Sequence, residues 1–280
     1  MTGVARSWLY APGSRPELVG KALRGGADVI VIDLEDAVPA DRKAEARETV
    51  RSVAGQHAAK PVWVRVNDLR GPWGEADLDA LAGLPLSGVR LPKCEDPAVV
   101  RQVGYRLGLP MQLILESAVG LERAGELARA HPLVSGIGLG ETDLAADLRL
   151  AGEDALAGCR FRVVLAARAA GLPAPVQSVW TDVGDLDGLR RSSERARDGG
   201  FFGRSVIHPA QVPVVNEVFT PTTAQIRAAR DLIDALAAAE RDGRAAFLDH
   251  SGRFVDPAVV EGARWTLAVA AQLDNREEAE

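Results

Sequence analysis

Residues 27–38 read ADVIVIDLEDAV, with four consecutive β-branched residues from Val29 to Ile32 followed by Asp33, Leu34, Glu35 and Asp36. A strand with one wet face alternates apolar and polar residues. A near-continuous apolar run such as 29–34 belongs to a strand covered on both faces, the habit of parallel sheets. Its acidic residues gather at the C-terminal end, where such a strand meets a loop.

Working outward, seven further runs have the same character: 7–11 (SWLYA), 62–67 (VWVRVN), 88–93 (GVRLPK), 112–117 (QLILES), 135–140 (SGIGLG), 175–180 (PVQSVW) and 203–208 (GRSVIH). Helical segments fit between them at 17–24, 41–53, 77–82, 97–104, 121–130, 158–170 and 185–198. Gly25-Gly26, Gly171 and Gly199-Gly200 supply helix stops. Strand and helix alternate, which implies parallel strands joined by right-handed crossovers. Eight such units in a 280-residue chain predict an α/β fold of the TIM (β/α)8 barrel type. No GxGxxG follows the first run, so a dinucleotide-binding sheet is the weaker alternative. Gly136, Gly138 and Gly140 lie within the sixth run and read as packing glycines. Beyond the eighth unit the pattern changes to a helix over 222–241, a turn or hairpin in 245–256 around Ser251-Gly252, and a final helix over 257–273. The organisation expected is a catalytic barrel over 1–220 and a C-terminal helical extension over 221–280.

Composition removes several function classes. The chain is 47% hydrophobic and 26% charged, an ordinary globular balance that argues against disorder. The net charge is -6 and no Lys/Arg block occurs, so nucleic acid is not an expected partner. No run of 18 apolar residues predicts a membrane span, and the first residues lack a signal-peptide core. Two cysteines, Cys94 and Cys159, form no CxxC pair, which speaks against zinc, redox motifs and a disulfide framework and suits the cytoplasm.

Barrel active sites lie at the C-terminal ends of the strands. The polar residues there are Asp33, Glu35 and Asp36, then Arg65 and Asn67, Lys93, Glu116, Glu141 and Asp143, and His208. Carboxylates gathered on one rim repel unless a cation holds them, and carboxylates without cysteine suit Mg²⁺ or Mn²⁺. Other readings stay open for each group. Glu116 could form a buried ion pair with Arg65 or Lys93. Asp143 could cap the following helix, and Asp33, Glu35 and Asp36 could be surface turn charges. Arg65, inside VWVRVN, needs a carboxylate from the protein or from a substrate.

The same residues spell a family pattern. RSWLYAPGSRPE (6–17), ADVIVIDLEDAV (27–38), KAEAR (43–47), VRVND (64–68), LPK (91–93), LILESAVGL (113–121), GLGETDLAADL (138–148), AARAAGL (166–172) and GFFGRSVIHPAQ (200–211) together resemble the HpcH/HpaI aldolase and citrate lyase β-subunit superfamily. The chain is most similar to its CitE-like coenzyme A ester lyases. The resemblance implies a barrel, often trimeric or hexameric, with Mg²⁺ held by Glu116 and Asp143. It implies Arg65 at the substrate carboxylate or carbonyl oxygen, with Asp33, Glu35 and Asp36 around the metal-bound waters. It also implies that Asp256, in a C-terminal segment, reaches the site of a neighbouring subunit and moves a proton. As a local reading, Asp256 caps the helix begun by Pro257. Arg15, Ser14 and Lys21 match best for the CoA phosphates, against a plain solvated helix start. Two positions depart from the pattern. Gln177 stands where family members often carry Asp, and Gly203-Arg204 replaces a Gly-Lys pair, a mild change if only charge matters.

The implied reaction is Mg²⁺-dependent cleavage or formation of a 3-hydroxyacyl-CoA (malyl-, citramalyl- or citryl-CoA), with an acyl-CoA and a 2-oxo acid as products. Alternatives are a free 2-oxo acid aldolase, a malyl-CoA thioesterase, and a citrate lyase β subunit active only within a complex.

Overall fold

The computed structural model describes residues 4–54, 60–241, 247–248, 254–255 and 257–277. By contacts the chain divides into two compact units, 5–217 and 218–280 with 1–4.

The first unit is built on a seven-stranded, all-parallel sheet: β1 Ser7–Pro12, β2 Val29–Asp33, β3 Val62–Arg65, β4 Gly88–Leu91, β5 Met111–Leu115, β6 Val134–Leu139 and β7 Arg204–Val206. The order across the sheet is β6-β5-β4-β3-β2-β1-β7. Helices connect successive strands, and all five residues of β2 are buried, as the unbroken apolar run requires.

The 175–180 run is not a strand. It makes one isolated parallel bridge, Gln177 to Arg204, through Gln177 N–H to Gly203 C=O (3.0 Å) and Ser205 N–H to Gln177 C=O (2.9 Å). Pro173 and Pro175 lack the N–H groups that a longer ladder needs. On its other side, the Val176 carbonyl lies where a Cβ on Gly138 would meet it at 3.3 Å. The segment thus touches both edge strands of the sheet, β6 and β7.

Inside the sheet, Trp8 of β1 and Trp63 of β3 meet edge to face at 5.3 Å, packed with Ala5, Val29 and Val31. Gly88 makes this possible, because a Cβ there would come within 2.5 Å of the Trp63 ring. A large ring on one strand thus packs over a glycine on the next, its register partner.

The second unit contains helices Thr223–Arg241 and Pro257–Glu277 and two short antiparallel strands, Phe247–Leu248 and Phe254–Val255. Leu236, Val255 and Val260 form its small core. The turn at Ser251-Gly252 and the predicted proton carrier Asp256 lie outside the described residues. Cys94 and Cys159 are free thiols. Among the described residues no helix is long and apolar enough to cross a membrane.

Candidate active site

A cavity of about 470 Å³ opens among the C-terminal ends of the strands. Tyr10, Asp33, Asp36, Arg65, Arg90, Glu116, Glu141, Asp143, Ser178 and Ser205 supply its polar walls.

Among the described residues, two carboxylates face this space without a cationic partner at hydrogen-bond distance. Glu116 follows β5 and is 8% exposed. Its Oε2 accepts from the Lys93 backbone N–H at 3.0 Å. Lys93 reaches that position with φ 52°, a left-handed conformation that costs a non-glycine residue and recurs where a site dictates the backbone. Gly140 leaves room for the same carboxylate, since a Cβ there would stand 2.4 Å from Glu116 Cγ. Burial pushes the Glu116 carboxyl up to about 7, and the negative charges of Glu35 and Asp143 add to that. Asp143 lies in the first turn of helix Glu141–Leu148, whose N-cap is Gly140, so it is not the helix cap. The ion pairs weighed for Glu116 do not form: the Lys93 ammonium goes to Glu35 Oε1 at 2.6 Å and Arg65 goes elsewhere.

Arg65 ends β3 and finds its carboxylates within the protein. Nε and Nη2 each donate at 2.6 Å to the two oxygens of Asp33, its register neighbour on β2. Nη1 lies 3.0 Å from Glu35 and 3.2 Å from Asp36, and the guanidinium stacks 5.1 Å over the Tyr10 ring. Burial opposes ionisation of Asp33, but Arg65 and the N–H groups of Glu35 and Ala37 outweigh it and hold the carboxyl below its usual range. Asp33 and Glu35 are buried rather than surface turn charges, whereas Asp36 is exposed. Burial raises the Glu35 carboxyl, and Arg65 and Lys93 only partly offset it.

The structure separates other predicted residues from the cavity. Arg15 is exposed, pairs with Glu17, and starts helix Pro16–Leu23. Ser14 is buried, its carbonyl accepting from Arg42 at 2.6 Å, and Lys21 points to solvent. None of the three lines the cavity. His208 is exposed and caps the short 3-10 helix Pro209–Gln211 through Nδ1.

Sequence reasoning gave no role to two cations. Lys43 is buried, and Nζ donates to the carbonyls of Leu34 (2.7 Å) and Glu35 (2.8 Å) and to Asn67 Oδ1 (2.6 Å). Asn67 donates in turn to Asp77, which Arg47 also binds at 2.7 Å. KAEAR and VRVND thus interlock behind the Glu35 turn. Arg90 of β4 is the other, 5% exposed and lining the cavity. An arginine flanked by Val89 and Leu91 in a buried strand was the available signal.

Over residues 6–209 the sequence matches the HpcH/HpaI aldolase/citrate lyase family. The chain belongs to this family. Membership makes it an enzyme of the carbon–carbon lyase class, the class of aldolases and citrate lyase. It is similar to the (3S)-malyl-CoA thioesterase of Cereibacter sphaeroides, 39% identical with 95% of this chain and 94% of that protein covered. It is also similar to the citrate lyase subunit beta-like protein of Deinococcus radiodurans, 40% identical over 94% and 96%. Among solved structures it resembles CitE from Mycobacterium tuberculosis in complex with magnesium, acetoacetate and coenzyme A. That likeness has a TM-score of 0.81 and 32% identity, covering 96% of this chain and 99% of that one.

Both departures from the family pattern have a local setting. Gln177 is buried behind the cavity wall and donates to Glu141 Oε1 at 2.9 Å, while Arg160 binds both Glu141 oxygens at 2.7 Å. An Asp at 177 would set a like charge against Glu141. Arg204 is 1% exposed, bonded to Ser192 and Ser193 and stacked on Trp180 at 5.8 Å. Its role is therefore shape and hydrogen bonding as well as charge.

Among the described residues no group of three His, Cys, Asp or Glu side chains gathers as a metal cage. Glu116 and Asp143 instead fit a hard divalent ion that takes one or two carboxylates and completes its shell with water and substrate oxygens.

Proposed function

We propose that this chain is a Mg²⁺-dependent lyase that cleaves or forms a 3-hydroxyacyl-CoA such as malyl-, citramalyl- or citryl-CoA. Its products would be an acyl-CoA and a 2-oxo acid. The observation that carries this reading is Glu116, a buried carboxylate turned with Asp143 into one cavity, where burial and the charges of Glu35 and Asp143 push its carboxyl up to about 7. In this reading the first unit is a (β/α)8 barrel whose seventh stave is the 175–180 segment between β6 and β7. The 221–280 extension brings Asp256 to a neighbouring subunit of a trimer or hexamer in the cytoplasm.

Glu116 and Asp143 would hold the metal, Mn²⁺ serving as well as Mg²⁺. A metal so bound supplies Lewis acidity to the oxygen that becomes the 2-oxo carbonyl. In cleavage, the 3-hydroxyl gives its proton to solvent, its oxygen becomes the 2-oxo carbonyl and the C2–C3 bond breaks. The bonding electrons pass to the thioester enolate, which takes a proton at its α carbon. Arg65, fixed by Asp33, Glu35 and Asp36, is oriented before substrate arrives and donates toward the developing oxyanion. Lys43 and Asn67 keep the Glu35 turn in place. Asp256 carries the proton at the α carbon, acting as base in condensation. Arg15, Ser14 and Lys21 remain the proposed CoA phosphate contacts outside the cavity.

Purified chain with Mg²⁺ and malyl-, citramalyl- and citryl-CoA should release a 2-oxo acid from one of them, and EDTA should stop it. Absence of cleavage of all three thioesters would reject this reading in favour of an aldolase of free 2-oxo acids or a subunit that works only in a complex. Asp256→Asn should bind metal and 2-oxo acid yet turn over slowly; unchanged turnover removes Asp256 from the reaction. The likeness to a malyl-CoA thioesterase favours one second reading, in which hydrolysis follows cleavage. Free CoA appearing with the 2-oxo acid would identify it.

A further inference from the structure

Two arginines line the cavity, and they differ in charge balance. Arg65 is matched by Asp33, Glu35 and Asp36. Arg90, the more deeply buried of the two, has no carboxylate partner among the described residues. Its Nη1 donates to Tyr10 Oη at 2.8 Å and Ser205 Oγ at 2.9 Å, and its Nε has no hydrogen-bond partner. The guanidinium lies 5.2 Å from the Trp8 ring and 5.5 Å from the Tyr10 ring. These rings offer weak compensation for a cation removed from water.

The hydrogen-bond chemistry around Arg90 has one sign. A guanidinium only donates, so both hydroxyls spend an oxygen lone pair on it and each keeps one O–H to give. No acceptor in the described residues takes the O–H of Tyr10 or Ser205. Arg90, Tyr10 and Ser205 all line the cavity. They form a donor-rich cluster, complementary to an anion that accepts several hydrogen bonds. The remaining cavity carboxylates are committed elsewhere. Asp33 and Asp36 are bound to Arg65, Glu141 is bound to Arg160, and Glu116 and Asp143 form the proposed metal end.

We propose that Arg90 is a specificity-determining residue that binds a second substrate carboxylate, so that the 2-oxo acid half of the substrate is a dicarboxylic acid. This rests on the lyase reading above. One carboxylate and the oxo group of that half go to the Glu116–Asp143 end. The other carboxylate reaches Arg90 and takes the free O–H donors of Tyr10 and Ser205. A substrate lacking that group leaves the guanidinium buried and unmatched, which is a larger penalty than a missing methyl contact.

The test is equilibrium binding of freshly prepared oxaloacetate, pyruvate and glyoxylate to the full chain in Mg²⁺, read by tryptophan fluorescence. Wild type should bind oxaloacetate at least about tenfold tighter than pyruvate. Arg90→Met should abolish that preference while leaving pyruvate affinity within about twofold, and Arg90→Lys should keep part of it. If Arg90→Met does not fold, Ser205→Ala and Tyr10→Phe each remove one donor and should narrow the preference. Pyruvate bound as tightly as oxaloacetate by wild type overturns the proposal and leaves the lyase reading standing. Equal weakening of both acids in Arg90→Met also overturns it. If no 2-oxo acid binds wild type, the lyase reading itself falls and takes the proposal with it.

Discussion

Arg65 and Asp33 face each other across adjacent strands in a two-pronged pair, Nε to Oδ1 and Nη2 to Oδ2, both at 2.6 Å. Asp33 also accepts the N–H groups of Glu35 and Ala37, so the pair fixes the turn that follows β2 as well as the guanidinium. Asp33→Asn would keep the shape and remove the charge. Breaking one side of a buried pair costs about 3–5 kcal/mol, and Glu35 at 3.0 Å offsets some of that. Urea denaturation should show the loss; a change below about 1 kcal/mol would mean that Glu35 and Asp36 suffice for Arg65.

Glu116 predicts a pH dependence with an unusual sign. Its carboxyl is raised from 4.5 to about 7 in the folded chain. Between those values the folded state binds more protons than the unfolded one, so this group's effect on metal-free stability worsens as pH rises from 4.5 to about 7 and is constant above that. In EDTA, Glu116→Gln should flatten that slope and melt higher than wild type at pH 8. An unchanged slope in the variant would assign the titration to another group.

Metal affinity should follow the same carboxyl. A divalent ion must displace the proton, so the apparent Kd for Mg²⁺ should rise roughly tenfold for each pH unit below about 7. Calorimetry in buffers of different ionisation enthalpy would detect the released proton. A flat affinity between pH 5.5 and pH 8 would remove Glu116 from the ligand set.

Gly140 should tolerate no side chain. A Cβ there would stand 2.4 Å from Glu116 Cγ, so Gly140→Ala must swing the carboxylate away from its Lys93 N–H donor. Mg²⁺ affinity should fall at least about tenfold with a stability loss of about 1–3 kcal/mol. A variant with both quantities unchanged would show that Glu116 has another rotamer equally suited to the site.

Lys43 should prove structural for the site. Lys43→Met leaves the carbonyls of Leu34 and Glu35 and the Asn67 side chain without their donor. A destabilisation of about 2–4 kcal/mol is expected in urea, water replacing part of what is lost. Turnover should fall further than stability alone explains, since the turn carries Glu35; normal turnover in the folded fraction would limit Lys43 to stability.

Much of this protein was legible in local sequence. Unbroken apolar runs bounded by helical segments predict parallel strands because burial on both faces is a property of each run by itself, and seven of the eight became strands. Of the polar residues at the ends of those runs, Asp33, Asp36, Arg65, Glu116, Glu141 and Asp143 line one cavity, whereas Glu35, Asn67, Lys93 and His208 do not. Partners were a different matter. Arg65 chose Asp33, 32 positions away, and Lys93 chose Glu35, 58 positions away, while Glu116 was left without either cation. Lys43 and Arg47 belong to a helix whose charges look solvated, yet they bind Asn67 and Asp77. Arg90 is an ordinary letter in GVRLPK until Trp8, Tyr10 and Ser205 close around it without a carboxylate. Which strands form follows from periodicity within a few residues, whereas which charges remain unmatched depends on side chains that only the folded sheet brings within hydrogen-bond distance.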